Sequence, residues 1–292
     1  MGGTACPDWL LGVWSRALFE AGSPAEAGEV GRIGAKLLDR WSNPGRVFHG
    51  PAHLISVLEK VDELSQEASC PCLVRLAAFY HGAMLSTDIL ELGRHTWGED
   101  EARSAELALG QLTHLGLAGA KAARVRDLVA QLGARPPQVK DPDLAVLCDA
   151  ERAILAADPR SYRLYAAQVR DECGDAPAET VLEVRIQVLR RWLAKDRLFL
   201  CSATASWEDI ARNNVEAELA RCLPELAALR AAAGSPPGPA AAAPPGRGAV
   251  AAAAPPGLAE AAPLTPAPAG PGLAGRYPQA VFFSRPRVQP SP

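Results

Sequence analysis

Along the first 230 positions, apolar residues recur at the three- and four-residue spacings of helices that bury one side. In "DWLLGVWSRALFEAG", Leu10, Val13, Trp14 and Leu18 share a face, and in "PAHLISVLEKVDEL", Leu54, Val57, Leu58 and Val61 fall in helical register. "SPAEAGEVGRIGAKLLDRWS" places Ser23 to cap a helix and Pro24 at its first position, where a missing N–H costs nothing. "CLVRLAAFYHGAML" is apolar on nearly every side, which predicts a central buried helix. Further helices are predicted near 100–115, 119–133, 141–157, 159–173, 178–200 and 206–230. The alternation typical of strands is almost absent, so the predicted class is all-α, with a single helical domain over residues 1–230.

From Ala231 the periodicity stops. "AAAGSPPGPAAAAPPGRGAVAAAAPPG" opens a stretch that is nearly all Ala, Pro and Gly. Such a segment lacks the large apolar side chains that offset ordering entropy, so residues 231–292 are predicted to be a disordered low-complexity tail. "PLTP" within it fits a generic polyproline ligand, which makes a protein partner through this Pro-rich tail an expectation. The apolar share of 48% is ample for a core in the patterned part. Formal charge is −3, from 30 Lys and Arg against 33 Asp and Glu, and no long basic run argues for a nucleic-acid surface. No apolar run approaches the roughly 20 residues of a membrane span, so no membrane partner is expected. Seven widely spaced cysteines and no secretory leader pattern point to reduced thiols in an intracellular, cytoplasmic protein. Cys70-Pro71-Cys72 could be half a zinc site, but no second pair lies at the matching spacing.

The candidate chemistry starts from five histidines. In "GRVFHGPAHL", Pro51 suits a first helical position, leaving His49 just outside the helix and His53 in its first turn. The positive end of the helix dipole disfavours imidazolium there, and neutral imidazole is the metal-binding form. His81 lies on the apolar helix with Gly82 beside it. A third polar point is "CDAERAIL", where Asp149 and Glu151 interrupt an apolar pattern, although acids two apart on a helix face different ways. A buried carboxylate needs a cation or a set of donors, so three helices could each bring one polar group to a common point. On spacing alone, each of these residues could equally be capping or packing.

Taken in order, these stretches resemble the HD superfamily of metal-dependent phosphohydrolases, and in particular its small predicted HD hydrolases. The typical R-x-Y-H-x-x-x-H-I is matched by "RVFHGPAHL", A-x-F-H-D-x-x-Y by "AAFYHGAML", and N-E-x-x-S-A by "DEARSAEL". "CDAERAIL", "YAAQVRDEC" and "EDIARNNVEAEL" continue the series, which spans roughly residues 9–222. The resemblance implies an all-α HD-like domain with metal ligation by His53, His81, the residue after His81 and the second acid of the D-A-D stretch. Here those last two positions read Gly82 and Glu151, "QLGA" replaces a usual T-x-x-H, and Phe48 and Leu85 replace tyrosines.

Glycine supplies no ligand, so the two-metal chemistry of the family is expected to be impaired. The expectation is a binding or scaffold module with HD ancestry. The alternative is a residual mononuclear phosphohydrolase acting on a nucleotide or phosphoester. In that case His53, His81 and Glu151, or more weakly Asp149, would hold one divalent ion (Mn, Fe, Co, Ni, Zn or Mg), and Arg46 would contact phosphate. A third reading is an ordinary helical interaction protein that shares only the fold. Arg170, Glu172, Arg185 and Arg212 match family positions and are read mainly as structural ion pairs. His95 and His114 match none.

Overall fold

A computed structural model describes residues 5–85, 100–132 and 141–232. The expected disordered tail lies outside the described residues from position 233 on, as do His95 and the second half of "QLGA". The regular elements among the described residues are helices: α1 (Trp9–Glu20), α2 (Ala27–Trp41), α3 (Pro51–Glu63), α4 (Pro71–Tyr80), α5 (Glu101–His114), α6 (Gly119–Leu132), α7 (Pro142–Arg152), α8 (Pro159–Asp171), α9 (Ala178–Leu193) and α10 (Trp207–Ala232). Short 3-10 turns follow α3 and α7, at Ser65–Glu67 and Ala153–Ala156.

Local chemistry explains the starting points. Four helices, α3, α4, α7 and α8, open on a proline, whose fixed φ is already helical and whose missing N–H is not needed in the first turn. Asp100, Asp141 and Asp158 cap α5, α7 and α8 by accepting hydrogen bonds from backbone N–H groups in the first turn. The expected cap at Ser23 is different in the structure. Ser23 Oγ donates to the Leu115 carbonyl at 2.6 Å, and α2 begins three residues after Pro24, at Ala27. The hydroxyl ties the α1–α2 connection to the end of α5 instead of starting a helix.

Two apolar clusters follow from the patterning. The first is built by α1 to α7, with α4 at its centre, where seven residues from Leu73 to Tyr80 are buried. Helix α4 packs against α1, α3, α5, α6 and α7. Trp14 and Trp41 are fully buried beside it, and each finds a carbonyl for its indole N–H, Val30 at 3.2 Å and Phe79 at 2.9 Å. The second cluster joins the 153–156 turn with α8, α9 and α10 and includes Tyr162, Tyr165, Leu189 and Phe199. Its polar centre is the buried Arg185–Glu218 pair, with N–O distances of 2.7 and 2.9 Å, and Glu218 also accepts from Tyr162 OH at 2.6 Å. Trp207 packs against both clusters.

Candidate functional site

Helix α3 starts at Pro51, so His49 stands just before it and His53 sits in its first turn, as the sequence predicts. Helix α4 is shorter than its apolar text suggests. It stops at Tyr80, with His81 as its C-cap and Gly82 in the turn beyond. Gly82 therefore does not weaken a helix interior. It lies where the chain leaves the central helix beside the start of α3.

His53 and His81 meet there, both buried, with Nε2 atoms 3.2 Å apart. His81 Nδ1 lies 2.6 Å from the Ala78 carbonyl, which can only accept, so this nitrogen carries a proton. Burial holds His81 well below the ordinary imidazole range, at about 4. The Ala78 carbonyl opposes that shift, and His49 and Arg46 add to it. Burial also lowers His53 strongly, helped by His81, His49 and Arg46. Both rings are thus neutral near pH 7. With the His81 proton on Nδ1, His81 Nε2 is the acceptor and His53 Nε2–H the donor. Trp41 forms one wall of the pair, with ring centroids 5.1 Å from His81 and 6.2 Å from His53.

Arg46 lies beside Trp41. Its guanidinium donates to the carbonyls of His49 at 3.0 Å, Gly82 at 2.7 Å and Ala83 at 3.2 Å, and lies over the Trp41 ring at 5.2 Å. Through these bonds Arg46 ties the turn after α4 to the loop before α3. His49 is held by Glu172 at the end of α8. Its Nδ1 is 2.5 Å from Oε2, while Oε1 accepts from the backbone N–H groups of Val47 and His49. Burial would raise the Glu172 carboxyl, but the His49 charge and these hydrogen bonds outweigh it and lower its pKa.

The acids of α7 diverge, as their spacing requires. Asp149 is fully buried and faces the segment after α9, accepting from Leu200 N–H at 2.8 Å, Cys201 N–H at 2.8 Å and Thr204 OH at 2.7 Å. Its oxygens are taken up by that loop. Glu151 faces the histidine side. It shares a cavity of about 180 Å³ with Val47, Phe48, Ala52, His53, Ser56, Val57, Ala150, Ile154 and Gln168. Burial raises the Glu151 carboxyl. Arg152, His49 and Lys195 oppose the shift and Glu101 adds to it.

The structure thus brings His53, His81, Arg46 and Gly82 together, puts Glu151 in a cavity that His53 also lines, and commits Asp149 elsewhere. Among the described residues, no group of three or more His, Cys, Asp or Glu is arranged to hold a metal ion. The His53–His81 pair supplies two nitrogens, short of the three protein ligands usual for a catalytic ion. Arg170 pairs with Glu225 and Arg212 with Glu208, as expected of structural ion pairs. His114 is exposed and meets Glu29 at 2.8 Å. Trp41 and Gln168 carry no motif that would have singled them out. No helix among the described residues is long and apolar enough to cross a membrane, and all seven cysteines are free thiols. Compared with known proteins, the chain matches no family model, no curated protein and no solved structure.

Proposed function

We propose that residues 1–230 form a degenerate HD-type domain that serves as a binding or scaffold module, without the two-metal phosphohydrolase chemistry of the family it resembles. The observation that carries this reading is the hydrogen-bonded His53–His81 pair beside Gly82, with the Arg46 guanidinium held on the Gly82 and Ala83 carbonyls. At the position of the expected metal-binding carboxylate the chain has Gly82, and the Arg46 cation on its carbonyl is close enough to lower both histidines. A cation that near also disfavours a divalent ion on the pair. The imidazoles satisfy each other, and the chain's own residues here orient a loop and line a small cavity.

One observation favours the residual mononuclear hydrolase as a second reading. Two nitrogens bound to one ion at about 2.0–2.1 Å stand roughly 3 Å apart, close to the 3.2 Å seen. The test is the metal content of the full chain purified without chelator, beside Gly82→Asp. The module reading predicts no stoichiometric metal in the native chain. Near-equimolar Mn, Fe, Co, Ni or Zn, lost in His81→Ala together with turnover of a generic phosphoester, would establish the hydrolase instead.

A further inference from the structure

The cavity beside the histidine pair has a chemistry of its own. Its floor is His53, Val57 and Ala150, all buried, and its mouth is formed by Val47, Ala52 and Ser56, all exposed. At about 180 Å³ it exceeds the roughly 150 Å³ of an engineered protein cavity that admits benzene, so one six-membered ring with a short substituent fits. Phe48 offers an aromatic wall, with its centroid 4.8 Å from that of His53, and Val47, Val57 and Ile154 supply apolar surface.

Glu151 sets the polar specificity. It is the formally charged member of the lining, with a side chain 20% exposed, and its one ion pair is a 3.9 Å approach to Arg152 Nε. That is beyond hydrogen-bond distance, so among the described residues the carboxylate accepts no hydrogen bond. The contrast within α7 is direct, since Asp149, two residues earlier, accepts from two backbone N–H groups and a hydroxyl. An ionised carboxylate has about four acceptor positions in one plane and pairs best with two parallel N–H donors. Anions suit the cavity poorly. The formally charged side chain in the lining is an acid, the cations that act on it, Arg152 and Lys195, lie outside the lining, and Arg46 is held on three carbonyls.

We infer that this cavity binds a small planar ligand bearing an amidine-type edge, two adjacent N–H donors that pair with the Glu151 carboxylate while the ring lies against Phe48. The inference rests on the binding-module reading and gives it a ligand class. The fork-to-carboxylate geometry is met equally by an aryl amidine and by a protonated amino-substituted nitrogen heterocycle. Gln168, half-buried in the same lining, can add one further hydrogen bond.

The experiment is calorimetric titration of the full chain with benzamidine, 2-aminopyridine, benzoate and phenyl phosphate. Benzamidine and 2-aminopyridine are expected to bind and the two anions not to. Glu151→Gln is expected to weaken benzamidine roughly tenfold or more, the range for losing one charge-assisted pair. Ser56→Trp, at an exposed mouth position, is expected to block binding with the fold intact. Absence of benzamidine binding, or binding indifferent to both variants, overturns the proposal. Binding of phenyl phosphate in place of benzamidine also overturns it while leaving the binding-module reading standing. Stoichiometric metal overturns that reading instead.

Discussion

Replacing Asp149 with alanine tests whether this acid is a structural clasp or a ligand in reserve. The carboxylate is fully buried and holds Leu200 N–H, Cys201 N–H and Thr204 OH. In Asp149→Ala, Thr204 can still donate to the Cys201 carbonyl 3.0 Å away, but the two backbone donors lose their acceptor. The two orphaned donors cost about 1–3 kcal/mol each, and relief of carboxylate desolvation offsets part of that, leaving a net loss of about 2–4 kcal/mol. That is a large part of a domain's total stability of about 5–15 kcal/mol. Asp149→Asn should cost less, about 1–2 kcal/mol, because an amide oxygen in the Oδ2 position still reaches Leu200 N at 3.0 Å and Cys201 N at 2.8 Å. Urea unfolding of the three proteins, with hydrogen exchange at the Leu200 and Cys201 amides, measures both the size and the order. The reasoning fails if alanine costs less than about 1 kcal/mol. It also fails if asparagine costs as much as alanine, or if chelator added to the native chain reproduces the loss.

Other expectations arise from the same contacts. Gly34 on α2 faces Trp14 so closely that a Cβ would lie 2.3 Å from its Cδ1, while Gly31 has nothing within 4 Å. Gly34→Ala should therefore destabilise by about 1–3 kcal/mol and Gly31→Ala stabilise by about 0.5–1 kcal/mol, read from thermal or urea melts. The two effects carrying the same sign would contradict the packing described. Glu218→Gln breaks the buried pair with Arg185 and should cost about 3–5 kcal/mol in the same melts. Burial raises the Glu218 carboxyl, but the charge and hydrogen bonds of Arg185 and the Tyr162 hydroxyl lower it below its ordinary value on balance. Its contribution is therefore complete above the unfolded carboxylate pKa and lost as pH falls through the lower folded value. Glu172, also lowered, acts in the same sense. Stability measured from pH 7 to pH 3 should fall mainly below about pH 4.3, and Glu218→Gln should flatten that limb. An unchanged acid limb in the variant would assign it to other groups.

Several helices were legible in the sequence from a 3.6-residue apolar pattern, with Pro51 marking the start of α3, while the structure shows Pro71, Pro142 and Pro159 to be starting signals of the same kind. Where a marker served another purpose the reading slipped. Ser23 resembles a cap but is engaged by Leu115, and the apolar run past Tyr80 reads as helix although the chain turns at His81. That His53 and His81 share a point was raised by the need of buried polar groups for partners and made specific by the resemblance, since periodicity says which face is buried but not what it meets. The cross-links around the site were illegible for the same reason. Glu172 reaches back 123 residues to His49, and Asp149 reaches 51 residues forward to Leu200. Arg46 shows the limit most clearly. Nothing in the sequence around it tells that three carbonyls accept from its guanidinium.

The two apolar clusters, with Trp207 resting on both, have a consequence for how the molecule opens. Two separate apolar cores predict that α8 to α10 open at a lower free energy than the rest, after links such as those of Asp149 and Glu172 are broken. Native-state hydrogen exchange would then resolve two opening free energies, with the lower one in the C-terminal helices. The cavity is lined from both sides of this seam, by Val57 and Ala150 of the first cluster and by Phe48 and Ile154, which pack on the second. A molecule lodged there would have to be released before the seam could part, so occupancy should raise the lower of the two opening free energies and leave the higher one nearly unchanged.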